Sequence, residues 1–282
     1  MTRTIWILVL LIAFLAACGT NSPKEVNHSD MNHGERQDET NDPGDTGESA
    51  LKEEDVKVNY SFPDGNPKSK QENKLKIQVH NKNGNPIENF DISHEKKLHL
   101  IVVSKDLSYF NHIHPVLKDK GLFEITTQFP AGGEYKLFAD FIPTGSSVMT
   151  KSEWVKVGGE EVGPIPIQPD KNLTKEVDGK EVMLTTNQLK AGEEVTLTFT
   201  IHDEKSKEPI TNLEQYLGAV GHVVALTEDV DQYLHVHPME EKTTGPDAKF
   251  MTTFPKSGIY KIWGQFLHEN EVFIVPFVIE VS

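Results

Sequence analysis

The chain has 282 residues, with 43 acidic and 28 basic side chains and a formal net charge of −15. This length suits two domains of ordinary size. The acidic balance argues against nucleic acid and anionic lipid surfaces as partners. The single cysteine, Cys18, excludes an internal disulfide and a zinc site built on several cysteines.

Residues 1–17 are predicted to be a signal peptide outside the fold. Arg3 is followed by an apolar run over residues 5–17, which is too short to span a bilayer comfortably. The run ends in Leu15-Ala16-Ala17-Cys18, which resembles a bacterial lipobox. That resemblance implies cleavage before Cys18 and its lipidation, so that the bilayer anchors the protein on the extracytoplasmic face of the cell membrane. The alternative is an ordinary signal peptide with an incidental cysteine.

Residues 18–55 are acidic, polar and almost free of large apolar side chains, which predicts a disordered tether. The tether contains His28, Met31 and His33 within six residues. Imidazole and thioether groups suit copper, and short His/Met tracts of this kind resemble those of exported copper-handling proteins. The alternative is a polar linker that happens to contain these residues.

From residue 56 onward the sequence predicts short strands and no helix. The runs rich in β-branched and aromatic residues are 56–62, 75–80, 98–104, 109–114, 123–129, 135–141 and 153–157, then 195–202, 221–227, 233–237, 249–254, 258–266 and 272–281. Gly/Pro-rich turns separate them, and a Gly/Pro-rich stretch marks a linker. We expect domain 1 at 56–158, the linker at 159–171 and domain 2 at 172–282.

The second half repeats the first. Residues 129–136 (FPAGGEYK) match residues 254–261 (FPKSGIYK). Short strands at this spacing predict an all-β fold of two tandem immunoglobulin-like β-sandwich domains, with a small β-barrel as the alternative. Tyr135 and Tyr260 fit the tyrosine corner of that architecture, which makes them structural rather than catalytic.

Each repeat carries the same spaced set of histidines, a His followed after twelve residues by His-x-His-Pro. The sets are His99, His112 and His114 in the first repeat, and His222, His235 and His237 in the second. An antiparallel hairpin brings three such imidazoles to one face. With the first turn centred on Lys105-Asp106, and the second placed likewise, His99 is expected opposite His112, and His222 opposite His235.

Three neutral imidazoles with an open position suit zinc or copper, so we expect a three-histidine metal site in each repeat. The expected location and the His/Met tether favour copper. Additional ligands could come from His80 and His202, which end matching strands, and from Met239, whose counterpart in the first repeat is Val116.

Alternative interpretations of the histidines remain open. His99 continues a row with Ile101 and Val103, and this row could be the core of the sandwich, with its histidines bonded internally. The histidines could also form a pH-sensitive switch between the domains. His94 and His268 have no counterparts and are expected on the surface. No catalytic residue is assigned, because the folded part offers no activated nucleophile or paired acid and base, and the protein is not expected to be an enzyme.

At the histidine hairpins and the FP-x-x-G-x-Y-K strands, the chain resembles exported bacterial proteins with tandem YtkA-like modules. It is also similar to modules found in copper-export and oxidase-assembly settings. These resemblances cover about residues 70–157 and 190–282. They imply a lipid-anchored β-sandwich protein and, loosely, a copper connection, with an envelope copper protein or an oxidase-assembly factor as partner.

The sequence therefore predicts a membrane-anchored lipoprotein that binds copper, or alternatively zinc, for buffering or delivery. The competing hypothesis is a tandem module that uses its loops or sheet faces to bind another envelope protein or a glycan, without metal.

Overall fold

The computed structural model describes residues 50–282, all of which fall within one compact unit of the chain. A single 3-10 turn, Glu53–Asp55, precedes the first strand. Among these residues no helix is long and apolar enough to cross a bilayer. The expectations for Cys18, His28, Met31 and His33 lie outside the described residues.

The first repeat is a sandwich of two antiparallel sheets. Its strands are β1 (Val56–Ser61), β2 (Glu72–Asn81), β3 (Phe90–Asp91), β4 (Leu98–Ser104), β5 (Phe110–Ile113), β6 (Val116–Asp119), β7 (Leu122–Gln128), β8 (Gly133–Pro143) and β9 (Met149–Val157). One sheet has the order β1-β2-β7-β6. The other has the order β3-β8-β4-β5, with β9 also paired to β8.

The second repeat has a similar plan, with one extra hairpin strand at its start and, among the described residues, no separate counterparts of β3 and β6. Its strands are β10 (Thr174–Val177), β11 (Lys180–Thr186), β12 (Glu194–Asp203), β13 (His222–Thr227), β14 (Tyr233–Pro238), β15 (Asp247–Thr253), β16 (Gly258–His268) and β17 (Glu271–Val281). Because β14 pairs with both β13 and β15, it joins the two layers into one continuous path, β10-β11-β12-β15-β14-β13-β16-β17.

Alternating burial along the strands explains the two cores. In β2 the side chains of Leu75, Ile77 and Val79 are buried between polar neighbours, and β12 repeats the pattern. Each sandwich encloses its own apolar cluster. The tandem immunoglobulin-like fold expected from the sequence is confirmed.

Both predicted tyrosine corners are present. The Tyr135 hydroxyl donates to the carbonyl oxygen of Ala131 at 2.9 Å, and the Tyr260 hydroxyl donates to that of Lys256 at 2.8 Å. Each bond spans four residues upstream of its tyrosine, which confirms the structural role expected of these side chains.

The histidine hairpins form, but their predicted register is wrong by two residues. Ile101 pairs with His112, which places His99 level with His114 instead of His112. In the second hairpin Val224 pairs with His235, so His222 is level with residue 237. The two sides join through four loop residues rather than two, because Leu107 adopts a positive φ of 56°. A shift of two leaves every side chain on its expected face.

Strands β4 and β13 are buried on both faces. In β4, Leu98, Leu100 and Val102 face the sandwich core, whereas Ile101 and Val103 pack against the other repeat. The interpretation of the histidine row as sandwich core is therefore wrong. The row lies on the outer face of its own sandwich, and the neighbouring repeat covers it.

The inter-repeat cluster is built from equivalent residues of the two repeats. Its members are Ile101, Val103, Leu107, Phe138, Val224, Leu226, Val230 and Trp263. Phe110 stacks on Trp263 with ring centroids 4.7 Å apart, and in the equivalent pair Tyr233 stacks on Phe138 at 5.3 Å. The repeats thus meet through the same surface, as the subunits of a two-fold dimer do.

Two equivalent lysines form hydrogen bonds across the contact between the repeats. Lys136 Nζ donates to the carbonyl oxygen of Val230 at 2.7 Å, and Lys261 Nζ donates to that of Leu107 at 2.7 Å. The two acceptors occupy matching hairpin loops, both at residues with positive φ. Each repeat therefore holds the hairpin loop of the other through a lysine hydrogen bond. We call Lys136 and Lys261 the clamp lysines.

The segment between the repeats also packs on them. Its Ile167 lies against the inter-repeat cluster, and the backbone N–H of Ile165 donates to Asp106 Oδ2 at 2.9 Å. The backbone N–H of Asp170 donates to the carbonyl oxygen of Val278 on β17, and the backbone N–H of Val278 donates to Asp170 Oδ2.

Candidate metal centre

Three histidines of the first repeat converge on one point. Ring nitrogens of His99, His112 and His114 all lie within 4.8 Å of one another. His99 comes from β4, His112 from β5 and His114 from the residues that follow β5. The ring centroids are 5.2, 5.0 and 4.7 Å apart. The convergence predicted for this repeat is therefore present in the geometry.

Hydrogen bonds on the outer nitrogens orient two of these rings. His99 Nε2 lies 2.9 Å from the carbonyl oxygen of Ser93, to which it must donate. His112 Nδ1 lies 3.1 Å from Gln265 Oε1 and donates to it in the same way. With the amide oxygen of Gln265 facing His112 and one proton on each neutral ring, the inner nitrogens, His99 Nδ1 and His112 Nε2, both present lone pairs.

These two inner nitrogens are 3.0 Å apart. Two lone pairs that face each other at this distance repel unless a cation lies between them. A shared proton would make one ring cationic, whereas a metal ion would accept both lone pairs. Ligand nitrogens on a tetrahedral zinc lie about 3.3 Å apart, given metal–nitrogen bonds of about 2.0 Å, so the spacing of this pair is close to that of two ligands on one ion.

The electrostatics of the cluster favour neutral imidazoles. Burial, followed by the neighbouring His99, His114 and His222, lowers the pKa of His112 well below its usual value. Burial, followed by His99 and Lys96, lowers the pKa of His114 to about 4. Neutral imidazole is the form that binds metals, so both rings are in the ligating state at neutral pH.

The second repeat contributes to this same cluster. His222, on β13, is buried, and its ring centroid is 5.9 Å from that of His99 and 5.8 Å from that of His112. Gln265, which pairs with His222 across β13 and β16, supplies the acceptor for His112. Sequence reasoning treated the repeats as separate sites and missed both contributions.

His94 also belongs to this region. It was expected on the surface, but it is half-buried, and its ring centroid lies 4.6 Å from that of His222. The expectation for His268 is wrong as well, because this side chain is buried and its Nε2 contacts Asn212 Oδ1 at 3.2 Å. The only signal for His94 was its position five residues before His99.

The metal site predicted from His222, His235 and His237 stays a prediction. The side chain of His235 lies outside what the structure describes, while His237 is exposed on β14. His222 points to the cluster of the first repeat, which differs from the expectation of one self-contained site in each repeat.

The additional candidate ligands are elsewhere. His80, at the end of β2, bonds to Asn59 and to the backbone of Asn81. His202 lies at the end of β12, and Met239 is exposed after β14. Among the side chains that the structure describes, the group of His, Cys, Asp and Glu close enough to hold an ion consists of His99, His112 and His114.

Comparison with known proteins identifies the repeat. A family model described as "Domain of unknown function (DUF8832)" matches residues 52–159 and again residues 175–282. No curated protein was found to match the chain.

Solved structures similar to this chain include immunoglobulin-like proteins. The FdeC adhesin of Escherichia coli is 13% identical, with 83% of this chain and 66% of that chain covered and a TM-score of 0.29. The adhesin InvE of Yersinia pseudotuberculosis is 12% identical, with 83% and 61% covered and a TM-score of 0.25. A two-domain fibronectin type III segment of chicken tenascin is 14% identical, with 80% and 98% covered and a TM-score of 0.21. The chain spans less than two thirds of either adhesin structure, and TM-scores this low bear no functional argument.

Proposed function

Because the chain belongs to the DUF8832 family, whose description assigns no activity, we propose from the histidine cluster that the protein binds a transition-metal ion. The ligands are His99, His112 and His114, and His222 closes the side that faces the second repeat. The protein acts as a binding protein and not as an enzyme.

One observation carries this proposal, namely the convergence of ring nitrogens from His99, His112 and His114, which all lie within 4.8 Å of one another. Acceptors behind ligating imidazoles fix the tautomer and the ring orientation in metal sites. A buried histidine kept for packing alone has no need of three neighbours of its own kind.

We propose copper as the ion, with zinc as the competing metal. Three imidazoles accept either ion, so the preference comes from the surroundings. The His/Met tract at His28, Met31 and His33 favours copper, as does a location outside the cytoplasmic membrane with Cys18 lipidated. The resemblance to YtkA-like modules in copper-export and oxidase-assembly settings points the same way. The protein would buffer the ion or deliver it to an envelope partner.

A paired substitution in the full chain tests the site. Replacing His112 and His114 together by Gln should lower the Cu²⁺ stoichiometry by one ion per chain, because two of three ligands are lost. The variant should also lose the metal-dependent rise in melting temperature, which for wild type corresponds to about 2.7 kcal/mol at a hundredfold excess of ion over Kd. Elemental analysis and thermal melts with Cu²⁺ and with Zn²⁺ measure both effects.

His202→Gln is the matched control, since His202 ends a strand outside the cluster. It should retain the wild-type stoichiometry. Equal stoichiometry in wild type and the double variant would overturn the assignment, because the tether sites are identical in both.

A second candidate function is a tandem interaction module that binds an envelope protein or a glycan. A groove of about 440 Å³ on the first sandwich, lined in part by Tyr60, Phe62 and Trp154, favours it. Trp154 is 39% exposed, and half-exposed aromatic side chains are typical of binding surfaces. If neither metal changes the melting temperature, and Trp154→Ala abolishes binding to isolated cell walls, this candidate replaces the first.

A further inference from the structure

We propose that His237, Met239 and Met251 form a separate site for a soft monovalent cation, Cu⁺ or Ag⁺, on the outer surface of the second repeat. His237 on β14 pairs directly with Met251 on β15. Directly opposed side chains on antiparallel strands have Cβ atoms about 5 Å apart. The imidazole and the thioether are thus adjacent on one face of the sheet.

Both side chains line the same groove. It has a volume of about 360 Å³, and its other lining residues include Tyr233 and Glu194. His237 is exposed, and Met251 is 37% exposed. An ion can therefore reach both donor atoms from solvent without any opening of the fold.

Met239 supplies the third donor. It lies two residues beyond His237, and its backbone N–H donates to the carbonyl oxygen of Lys249 at 2.9 Å, which continues the β14–β15 ladder. Side chains two apart on a strand share a face, and Met239 is 51% exposed.

The arrangement is specific to the second repeat. At the positions that match Met239 and Met251, the first repeat has Val116 and Thr126, neither of which is a soft donor. The framework needs no methionine at these places, because the first sandwich forms without them. The two thioethers are therefore additions to a fold that is complete in their absence.

The donor set decides the class of ion. Thioether sulfur is a soft ligand that selects Cu⁺ over harder divalent ions, and imidazole accepts copper in either oxidation state. Two thioethers and one imidazole make a neutral donor set, which suits a single positive charge, and Glu194 adds a nearby carboxylate. The step is simple association, without electron or group transfer. It rests on β14 and β15 and does not depend on the proposed function of the His99 cluster.

Methionine methyl NMR on the full chain tests the site, with Ag⁺ as a redox-inert probe. On titration, the ε-methyl resonances of Met239 and Met251 should shift together, with a common saturation point. Met251→Leu keeps the shape of the side chain but removes sulfur, so it should weaken Ag⁺ binding at Met239 by about 10-fold or more. His237→Gln should have the same effect.

Met183 is an internal control within the same spectrum. It is 40% exposed on the same sheet, but its cross-strand neighbours are Thr174 and Thr200 instead of a histidine. Its methyl should move only at much higher Ag⁺. The buried methyl of Met149 reports that each variant is folded. Shifts at Met239 and Met251 no larger than that at Met183 would overturn the site. That result would leave the His99 cluster untouched, because the stoichiometry of His112→Gln/His114→Gln decides that proposal separately.

Discussion

At the scale of single residues, the second repeat contacts a proposed metal ligand of the first, His112. Gln265 is 1% exposed, and its Oε1 is the acceptor for His112 Nδ1. A side chain so placed holds the imidazole in the tautomer whose other nitrogen can bind a metal.

Gln265→Leu is expected to lower metal affinity about 10- to 100-fold without changing the number of ions bound, because the ligands remain but their orientation is lost. Competition titration against a chelator measures the affinity. The exposed Gln215→Leu is the control and should leave affinity unchanged. A lost stoichiometric equivalent in Gln265→Leu would mean that the amide itself binds the ion.

The carboxylate of Asp106 makes the stability of the fold depend on pH. Burial opposes its ionisation, but bonds from the Ile165 backbone and from Ser104 and Ser108 outweigh burial and lower its pKa to about 2. The folded pKa is below the unfolded pKa of about 3.9, so the carboxylate stabilises the fold above pH 4, and that contribution disappears as the pH falls toward 2.

Asp106→Asn should therefore destabilise the protein at pH 5 by about 1 kcal/mol, a figure discounted for partial exposure, and by less at pH 3. Urea unfolding of wild type and variant at both pH values measures the difference. A difference that grows in acid would show that the carboxylate does not have the lowered pKa.

At the scale of the elements, sequence periodicity predicted the positions of the long strands but not the register of the histidine hairpins. The interior strands at 98–104 and 258–266 are recovered closely as Leu98–Ser104 and Gly258–His268, because both combine apolar runs with clear breakers. The short strands Phe90–Asp91 and Val116–Asp119 were missed, since two to four residues carry no measurable alternation. The hairpin register failed because one αL residue, Leu107, lengthens the loop.

Only the part of the candidate site that lies within one repeat could be predicted from the sequence. Side-chain alternation placed His99, His112 and His114 on one face, which the loop error left unchanged. Nothing in a single repeat indicates that its outer face is covered by the other, so His222, His94 and Gln265 could not be placed from the sequence. The contacts of His222 with His94, His99 and His112, and that of Gln265 with His112, span 110 residues or more of chain, beyond the reach of local patterns.

The clamp lysines act at this scale too. Lys136→Met should cost about 1–3 kcal/mol of unfolding free energy, because the carbonyl of Val230 loses its donor inside the inter-repeat contact. Lys105→Met, which removes only an exposed ion pair with Glu134, should stay within about 0.5 kcal/mol. Urea midpoints for both variants make the comparison, and equal values would refute the role of the clamp.

At the scale of the whole molecule, we expect the two sandwiches to unfold as one unit, because they share a third apolar cluster. Trp263 is 3% exposed and stacks on Phe110 of the other repeat. Such shared burial is expected to couple the unfolding of the repeats.

Trp263→Ala is expected to cost about 3–5 kcal/mol, since it removes a buried indole and leaves a cavity. Calorimetry should show one transition in the wild type and two in the variant, because each sandwich keeps its own core. A single transition in both proteins would mean that the shared cluster does not couple them.

Joining the halves covalently has a consequence for the chemistry that their contact can hold. In a dimer of identical chains, every position beside the two-fold axis carries the same side chain twice. Here the residue opposite His99 is Asp140, whereas the residue opposite His222 is Gln265. One polypeptide can thus place a carboxylate beside one histidine and a neutral amide beside the other. A mutation in one repeat leaves the equivalent position of the other repeat unchanged.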